Sequence, residues 1–157
     1  MPKISTMLWF DGQAEAAANF YVSIFKNSRV TGISRYPEGS PGPVGTVMTV
    51  AFELDGRPFT ALNGGPLFKF NEAISFVVHC ETQAEVDHFW EKLSQGGEKQ
   101  RCGWIKDRFG LSWQIIPSAL GKLMNDPDPE KSKAVFHAML KMNKIVIEDL
   151  KSAYVAA

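Results

Sequence analysis

The stretch QAEVDHFWEKLS, residues 83–94, has a counterpart 69 positions earlier in AEAAANFYVSIF, residues 14–25. Ala17 matches Val86, Phe20 matches Phe89, Tyr21 matches Trp90 and Ile24 matches Leu93. Within each stretch these residues recur at spacings of three, four and seven, which puts them on one apolar stripe of an α-helix. Thr82-x-x-Glu85 has capping-box spacing ahead of the second helix, and Asp11 offers an N-cap oxygen ahead of the first. Helices are thus expected over residues 13–26 and 83–95, each with one face to bury.

The flanking sequence supplies the surfaces. Ile4–Phe10 reads as a strand, and Arg29–Arg35 as a second. Pro37 to Gly45 is dense in proline and glycine and must be a loop. Thr46–Leu54 and Arg57–Asn63 are strands joined by Asp55-Gly56, a strong hairpin signal. After a bridge through Asn71, the same order returns: a strand at Ala73–Cys80, the second helix ended by Gly96-Gly97, then strands at Glu98–Cys102, Trp104–Asp107 and Leu111–Ile116. Two βαβββ units, residues 3–65 and 73–117, follow within one domain of residues 1–157. One helix cannot cover both faces of its sheet. The expected fold is therefore α+β, with the two units combining as an open curved barrel around a chamber. Residues 118–157 repeat nothing earlier and form a C-terminal helical extension, with helices from Glu130 to about Met142 and from Ile145 to Tyr154.

Composition narrows the class of function. The 17 basic and 17 acidic residues cancel, so no field exists to attract nucleic acid or an anionic membrane. Neutrality also removes a barrier to self-association. The two cysteines, Cys80 and Cys102, lack metal-type spacing and suit a reducing compartment. Met-Pro-Lys-Ile-Ser at the start lacks a signal-peptide pattern, and no apolar run has transmembrane length, so a cytoplasmic protein is expected.

Four stretches carry a resemblance: LWFDGQAEAAANFY (8–21), LNGGPLFKFNEAISF (62–76), QAEVDHFWEKLSQGGEKQRCGWIKDRFGLSWQIIP (83–117) and AMLKMNKI (138–145). They resemble the vicinal oxygen chelate superfamily of glyoxalase I, ring-cleaving dioxygenases and antibiotic-binding resistance proteins. The closer similarity is to its PhnB-like branch, often labelled a 3-demethylubiquinone-9 3-methyltransferase domain. The resemblance implies the open barrel already inferred. It also implies metal-ligand positions on the first and last strands of each unit, which fall near Ser5, Ala61, Ser75 and Gln114. A divalent ion needs three or four strong N, O or S donors. Alanine offers none, serine hydroxyls are poor, and a glutamine amide is weak. No metal and no cofactor are expected here, and activities that need a Lewis acid lose their support.

Period-two geometry sorts the strand residues around the chamber. With Ser5 inward, Met7 and Trp9 follow; with Gln114 inward, Ser112 and Ile116 follow, while Trp113 and Ile115 pack under a helix. Ser75, Val77 and His79 share a face, as do Phe59, Ala61 and Asn63. The candidate lining thus includes Ser5, Met7, Trp9, Asn63, Ser75 and Gln114, with His79, Cys102 and Trp104 near it. Aromatic walls with neutral polar groups suit an uncharged or mildly polar organic ligand. The same hydroxyls and amides could instead serve only the backbone of a filled barrel.

Cys102 invites a nucleophile reading, but Arg101 beside it would face the opposite side, and a buried hydrophobic thiol is the simpler role. His79, His88 and His137 are scattered, and only His79 falls near the chamber rim. Asp107 is expected to brace the turn at Arg108-Phe-Gly110. The methyltransferase label lacks the glycine-rich strand-to-helix turn of a typical S-adenosylmethionine site. Two readings remain: a metal-free module holding a small organic ligand, or an enzyme of unknown reaction in the same cavity. A homodimer is expected, with the C-terminal helices contributing to the contact. The stripe Val135, Ala138, Met139, Met142 must be buried against its own subunit or a partner.

Overall fold

The computed structural model describes residues 2–157, which divide into two compact units, one ending at Phe70 and the other running from Asn71 to Ala157. The first contains β1 (Thr6–Phe10), α1 (Ala14–Ile24), β2 (Arg29–Arg35), β3 (Val47–Leu54) and β4 (Arg57–Asn63), with sheet order β1-β4-β3-β2. Only β1 and β4 run parallel. The second repeats the plan with β5 (Ser75–Cys80), α2 (Gln83–Ser94), β6 (Glu98–Lys99), β7 (Trp104–Lys106) and β8 (Ser112–Pro117), in order β5-β8-β7-β6. Here β5 and β8 are the parallel pair.

Asp55 and Gly56 both take positive φ (50° and 78°), as a tight hairpin between β3 and β4 requires. Thr82 accepts the Glu85 amide at 3.2 Å and starts α2. The first helix starts differently. Its N-cap is Gln13 without a side-chain bond, and the Ala14 amide donates instead to Asn63 Oδ1 at 2.8 Å. Asn63 therefore replaces Asp11 in the expected capping role, from the end of β4.

Each helix lies on one sheet face. In the first unit, Tyr21 of α1 stacks on Phe52, and Phe52 on Phe59, with ring centroids 6.3 and 5.3 Å apart. Leu8, Phe10, Val50 and Ala61 are buried on that same side. Full burial of each large side chain contributes about 1.5–3 kcal/mol. This corrects the expected facing of β4: Phe59, Ala61 and Asn63 lie under the helix, and Thr60 and Leu62 face away from it. In the second unit Val78, Ile105, Trp113 and Ile115 are buried with Val86, Trp90 and Leu93 of α2, so β8 faces as its sequence predicts.

The extension holds α3 (Ser118–Met124), α4 (Pro129–Leu140) and α5 (Ile147–Ala156). The helix α3 is absent from the sequence reading, because seven residues with a central Gly121 give too weak a period. Asp128 caps α4 through the Glu130 amide, with Pro129 at the first position. Leu120, Val135, Ile145 and Leu150 form a small core, against which Met139 and Met142 pack. The stripe on α4 is thus buried largely within its own unit. Gln83 ties this extension to α2: its amide donates to Ile145 O at 3.0 Å and accepts from Ile147 N at 2.8 Å.

Candidate functional site

The face of the second sheet turned away from α2 is set by register. Ser75, Ser112 and Lys106 form one cross-strand row, and Val77, Gln114 and Trp104 the next. His79 and Ile116 continue it. Gln114 Nε2 donates to Ser75 Oγ at 2.9 Å, and Trp104 stands half-buried beside Gln114. Val77 and His79 are exposed. Ser112 is fully buried, yet its hydroxyl has no hydrogen-bond partner. Lys106 forms an ion pair with Glu72 at 3.1 Å. Ser75, Trp104, Gln114 and His79 therefore share one face, and Ser112 is its unexplained polar group.

The corresponding face of the first sheet carries Met7 and Trp9 on β1 with Thr60 and Leu62 on β4. Trp9 is held firmly. Its indole N–H donates to Gly65 O at 2.9 Å, and Phe68 meets its ring edge-on at 4.9 Å. A Cβ on Gly64 would lie 2.4 Å from the indole, so glycine is required there for the ring to lie so close to the backbone. On the other side of β1, Phe70 packs on Phe10 at 5.3 Å. Ser5 is exposed just ahead of β1. Asn63 leaves this lining altogether, since its amide also donates to Val47 O at 3.0 Å on β3.

Cys102 is a further correction. The strand β6 stops at Lys99, and Cys102 sits in a turn with φ of 59°, followed by Gly103 at 84°. Their amides donate to Met142 O and Asn143 O, so this turn docks the extension rather than forming a strand. Arg101 Nη2 donates to Leu140 O at the end of α4, a favourable place for a cation. Asp107 braces its turn as expected, accepting from the Phe109 and Leu111 amides and from Trp113 Nε1.

The buried Cys80 thiol is pushed up to about 12 from 9.0, first by desolvation and then by the carboxylates of Glu85 and Glu81. It is no nucleophile. Its folded form holds the proton more tightly, so its contribution to stability is intact below the unfolded value and lost as pH rises through about 9 to about 12. Urea midpoints should show a constant gap between the native chain and Cys80→Ala below that window. Across it, the gap should shift against the native chain by up to ~1 kcal/mol per pH unit. A gap unchanged by pH would contradict this.

The residues at the metal positions implied by the superfamily do not fit a divalent ion. Ser75 and Gln114 are neutral and bonded to each other, and Ala61 faces the helix. Among the described residues no group of three His, Cys, Asp or Glu could hold a metal, and no helix is long and apolar enough to cross a membrane. A cleft of about 390 Å³ lies elsewhere in the second unit, lined among others by Glu81, Ser118, Lys122, Glu148 and Lys151. Its charges are partly spent internally, with Ser118 on Glu81 at 2.9 Å and Lys151 near Glu148 at 4.0 Å. None of the sequence-predicted site residues lines it.

Comparisons place this geometry among known proteins. A family model described as 3-demethylubiquinone-9 3-methyltransferase matches residues 2–116, ending within β8. A PhnB protein from Bacillus cereus carrying the same description is 39% identical, covering 74% of this chain and 100% of that one, with a TM-score of 0.68. A Pseudomonas aeruginosa protein is 19% identical, with 74% and 98% coverage and a TM-score of 0.61. The genomically encoded fosfomycin resistance protein FosX of Listeria monocytogenes is 14% identical, with 75% and 93% coverage and a TM-score of 0.50, a likeness of fold alone. No curated protein matches the chain. With paired βαβββ units and a family match over most of its length, the chain belongs to the 3-demethylubiquinone-9 3-methyltransferase family.

Proposed function

We propose that this chain is a metal-free binder of a small organic molecule, held on the face of the second sheet that carries Ser75, Trp104, Ser112 and Gln114. The observation that carries this reading is the Gln114–Ser75 hydrogen bond. At the two positions where this superfamily would present metal ligands, it sets a pair of neutral groups that satisfy one another. What remains is a half-buried indole beside amide and hydroxyl groups, suited to an aromatic or mildly polar guest. The family description does not extend to a methyltransferase mechanism here. Gly64-Gly65 leaves a strand for a loop, and Gly96-Gly97 leaves a helix for a strand, so neither forms the glycine turn between a strand and a helix.

A thermal-shift screen of small aromatic compounds, run beside elemental analysis of the purified protein, tests the reading. Hits that raise the melting temperature without any stoichiometric metal support it. A stoichiometric divalent ion, or a screen in which no compound binds, overturns it.

The chain is further proposed to be a homodimer. Ile4, Met7, Leu67 and Phe68 of the first unit are 59–87% exposed, a large apolar load for a neutral surface. The stripe on α4 contributes little, being buried in its own unit. Light scattering at micromolar concentration should give twice 17.4 kDa, and a chain cut after Pro117 should still give twice its own, smaller protomer mass. A mass of 17.4 kDa for the full chain would end the dimer proposal.

A further inference from the structure

Ser112 poses a physical problem. It lies between two strands, paired with Ser75 of β5 on one side and Lys106 of β7 on the other. It is fully buried, and its hydroxyl is without a partner. A buried group left in that condition is costly, and a native fold retains one only for a reason. The neighbouring hydroxyl is already oriented. Ser75 Oγ accepts from Gln114 Nε2 at 2.9 Å, which leaves its own proton free to point elsewhere. Two hydroxyl donors thus occupy partner positions on adjacent strands, and among the described residues no acceptor answers the buried one, Ser112.

The cover over them is also identifiable. Lys106 rises from β7 on this face, and Glu72 sits in the turn that leads into β5. Because β8 lies between β7 and β5, the ion pair at 3.1 Å reaches across β8 at the level of Ser112. Its side chains are 30% and 51% exposed, so water screens the attraction and the strap opens at small cost.

We infer that Ser112 and Ser75 form a paired-hydroxyl anchor for the carbonyl oxygen of an aromatic ligand, reached when the Lys106–Glu72 strap swings aside. This rests on the second sheet's face being the binding site and adds the ligand's chemistry: an acceptor oxygen on an otherwise uncharged aryl body. The oxygen takes both hydroxyl protons, the ring lies towards Trp104, and no covalent step is involved. An aryl compound without that oxygen gives neither hydroxyl proton an acceptor and binds more weakly.

Acetophenone and ethylbenzene, alike in shape but for the oxygen, are the probes. Titrations at matched concentrations below the solubility limit of ethylbenzene are read on the Trp104 indole N–H by NMR. The native chain should prefer acetophenone by roughly three- to tenfold, the worth of a hydrogen bond. Ser112→Ala should bring the two within twofold of each other while leaving the unliganded protein at least as stable, since an orphan hydroxyl is removed. Glu72→Gln, which alters no buried group, should strengthen binding of both probes and keep the preference. Equal affinities in the native chain, or a preference that survives Ser112→Ala, overturn the anchor while leaving the binding reading intact. Loss of stability in Ser112→Ala also overturns it, by assigning the hydroxyl a structural role. Failure of both probes to bind removes the anchor and the binding reading together.

Discussion

Gly97→Ala is expected to destabilise the second unit by about 3 kcal/mol or more, the largest effect of any single methyl in this chain. The new Cβ would lie 2.1 Å from Lys106 O, 2.7 Å from Asp107 C and 2.9 Å from Asp107 Cα. All three are backbone atoms. They belong to the end of β7, whose Lys106 pairs with both Glu98 and Ser112. Neither side of the collision can retreat without breaking strand pairs. Gly64 is tight for a different reason, since its neighbour is the Trp9 side chain, which can rotate at the cost of its bond to Gly65. Gly121 supplies the control. It is helical with nothing within 4 Å, so Gly121→Ala should stabilise by about 0.5–1 kcal/mol. Urea denaturation of the pair measures both, and a Gly97→Ala midpoint close to the native value would refute the clash.

The second large effect belongs to Asp107, which is 2% exposed. Its Oδ1 accepts from Phe109 N at 2.8 Å and Leu111 N at 3.1 Å, and its Oδ2 accepts from Trp113 Nε1 at 2.9 Å. Asp107→Ala strands three buried or half-buried donors and should cost about 3–5 kcal/mol. Asp107→Asn keeps one acceptor oxygen for the turn but faces the indole with an amide donor, so it should fall between alanine and native. Trp113→Phe removes the indole donor together with part of a buried ring, and leaves the turn's own bonds in place. A double-mutant cycle, with near-ultraviolet circular dichroism to follow the tryptophans, separates these terms. If Asp107→Ala costs nothing in the Trp113→Phe background, the bonds to the turn contribute nothing. The turn also sets Lys106 opposite Ser112, so its loss should loosen the proposed ligand face as well.

These residues show how far the sequence could be read. The second unit was legible because its strands carry a phase marker. Trp113 and Ile115 alternate with Ser112 and Gln114, so period two assigns each face without ambiguity. In β4 the run Phe59-Thr60-Ala61-Leu62 has no such contrast, and either phase buries something apolar. The stack of Phe52 on Phe59 decides it, and that contact depends on strand register. Asn63 was misplaced with them, because its partners at Ala14 and Val47 are 49 and 16 residues away in sequence. The turn at Cys102, read from sequence as the end of a strand, was not visible, because its left-handed φ is stabilised by Met142 and Asn143 from the extension. The unpaired hydroxyl of Ser112 left no trace in the sequence at all. Only the sheet shows that nothing answers it.

The segment that leaves the first unit has a consequence for how the chain behaves in a crowded solution. In the order β1-β4-β3-β2, β1 is an outermost strand, and such strands recruit copies of themselves through unpaired backbone groups. Here the Gly64 and Gly65 amides extend the β1–β4 ladder by donating to Phe10 O at 2.9 and 3.4 Å. Phe68 then closes over Trp9 on one side, and Phe70 over Phe10 on the other. The connector therefore clasps the strand most prone to stick from both of its faces. Damage to Phe68 or Phe70 would be felt first as precipitation, in a protein whose folded core and ligand face were otherwise sound.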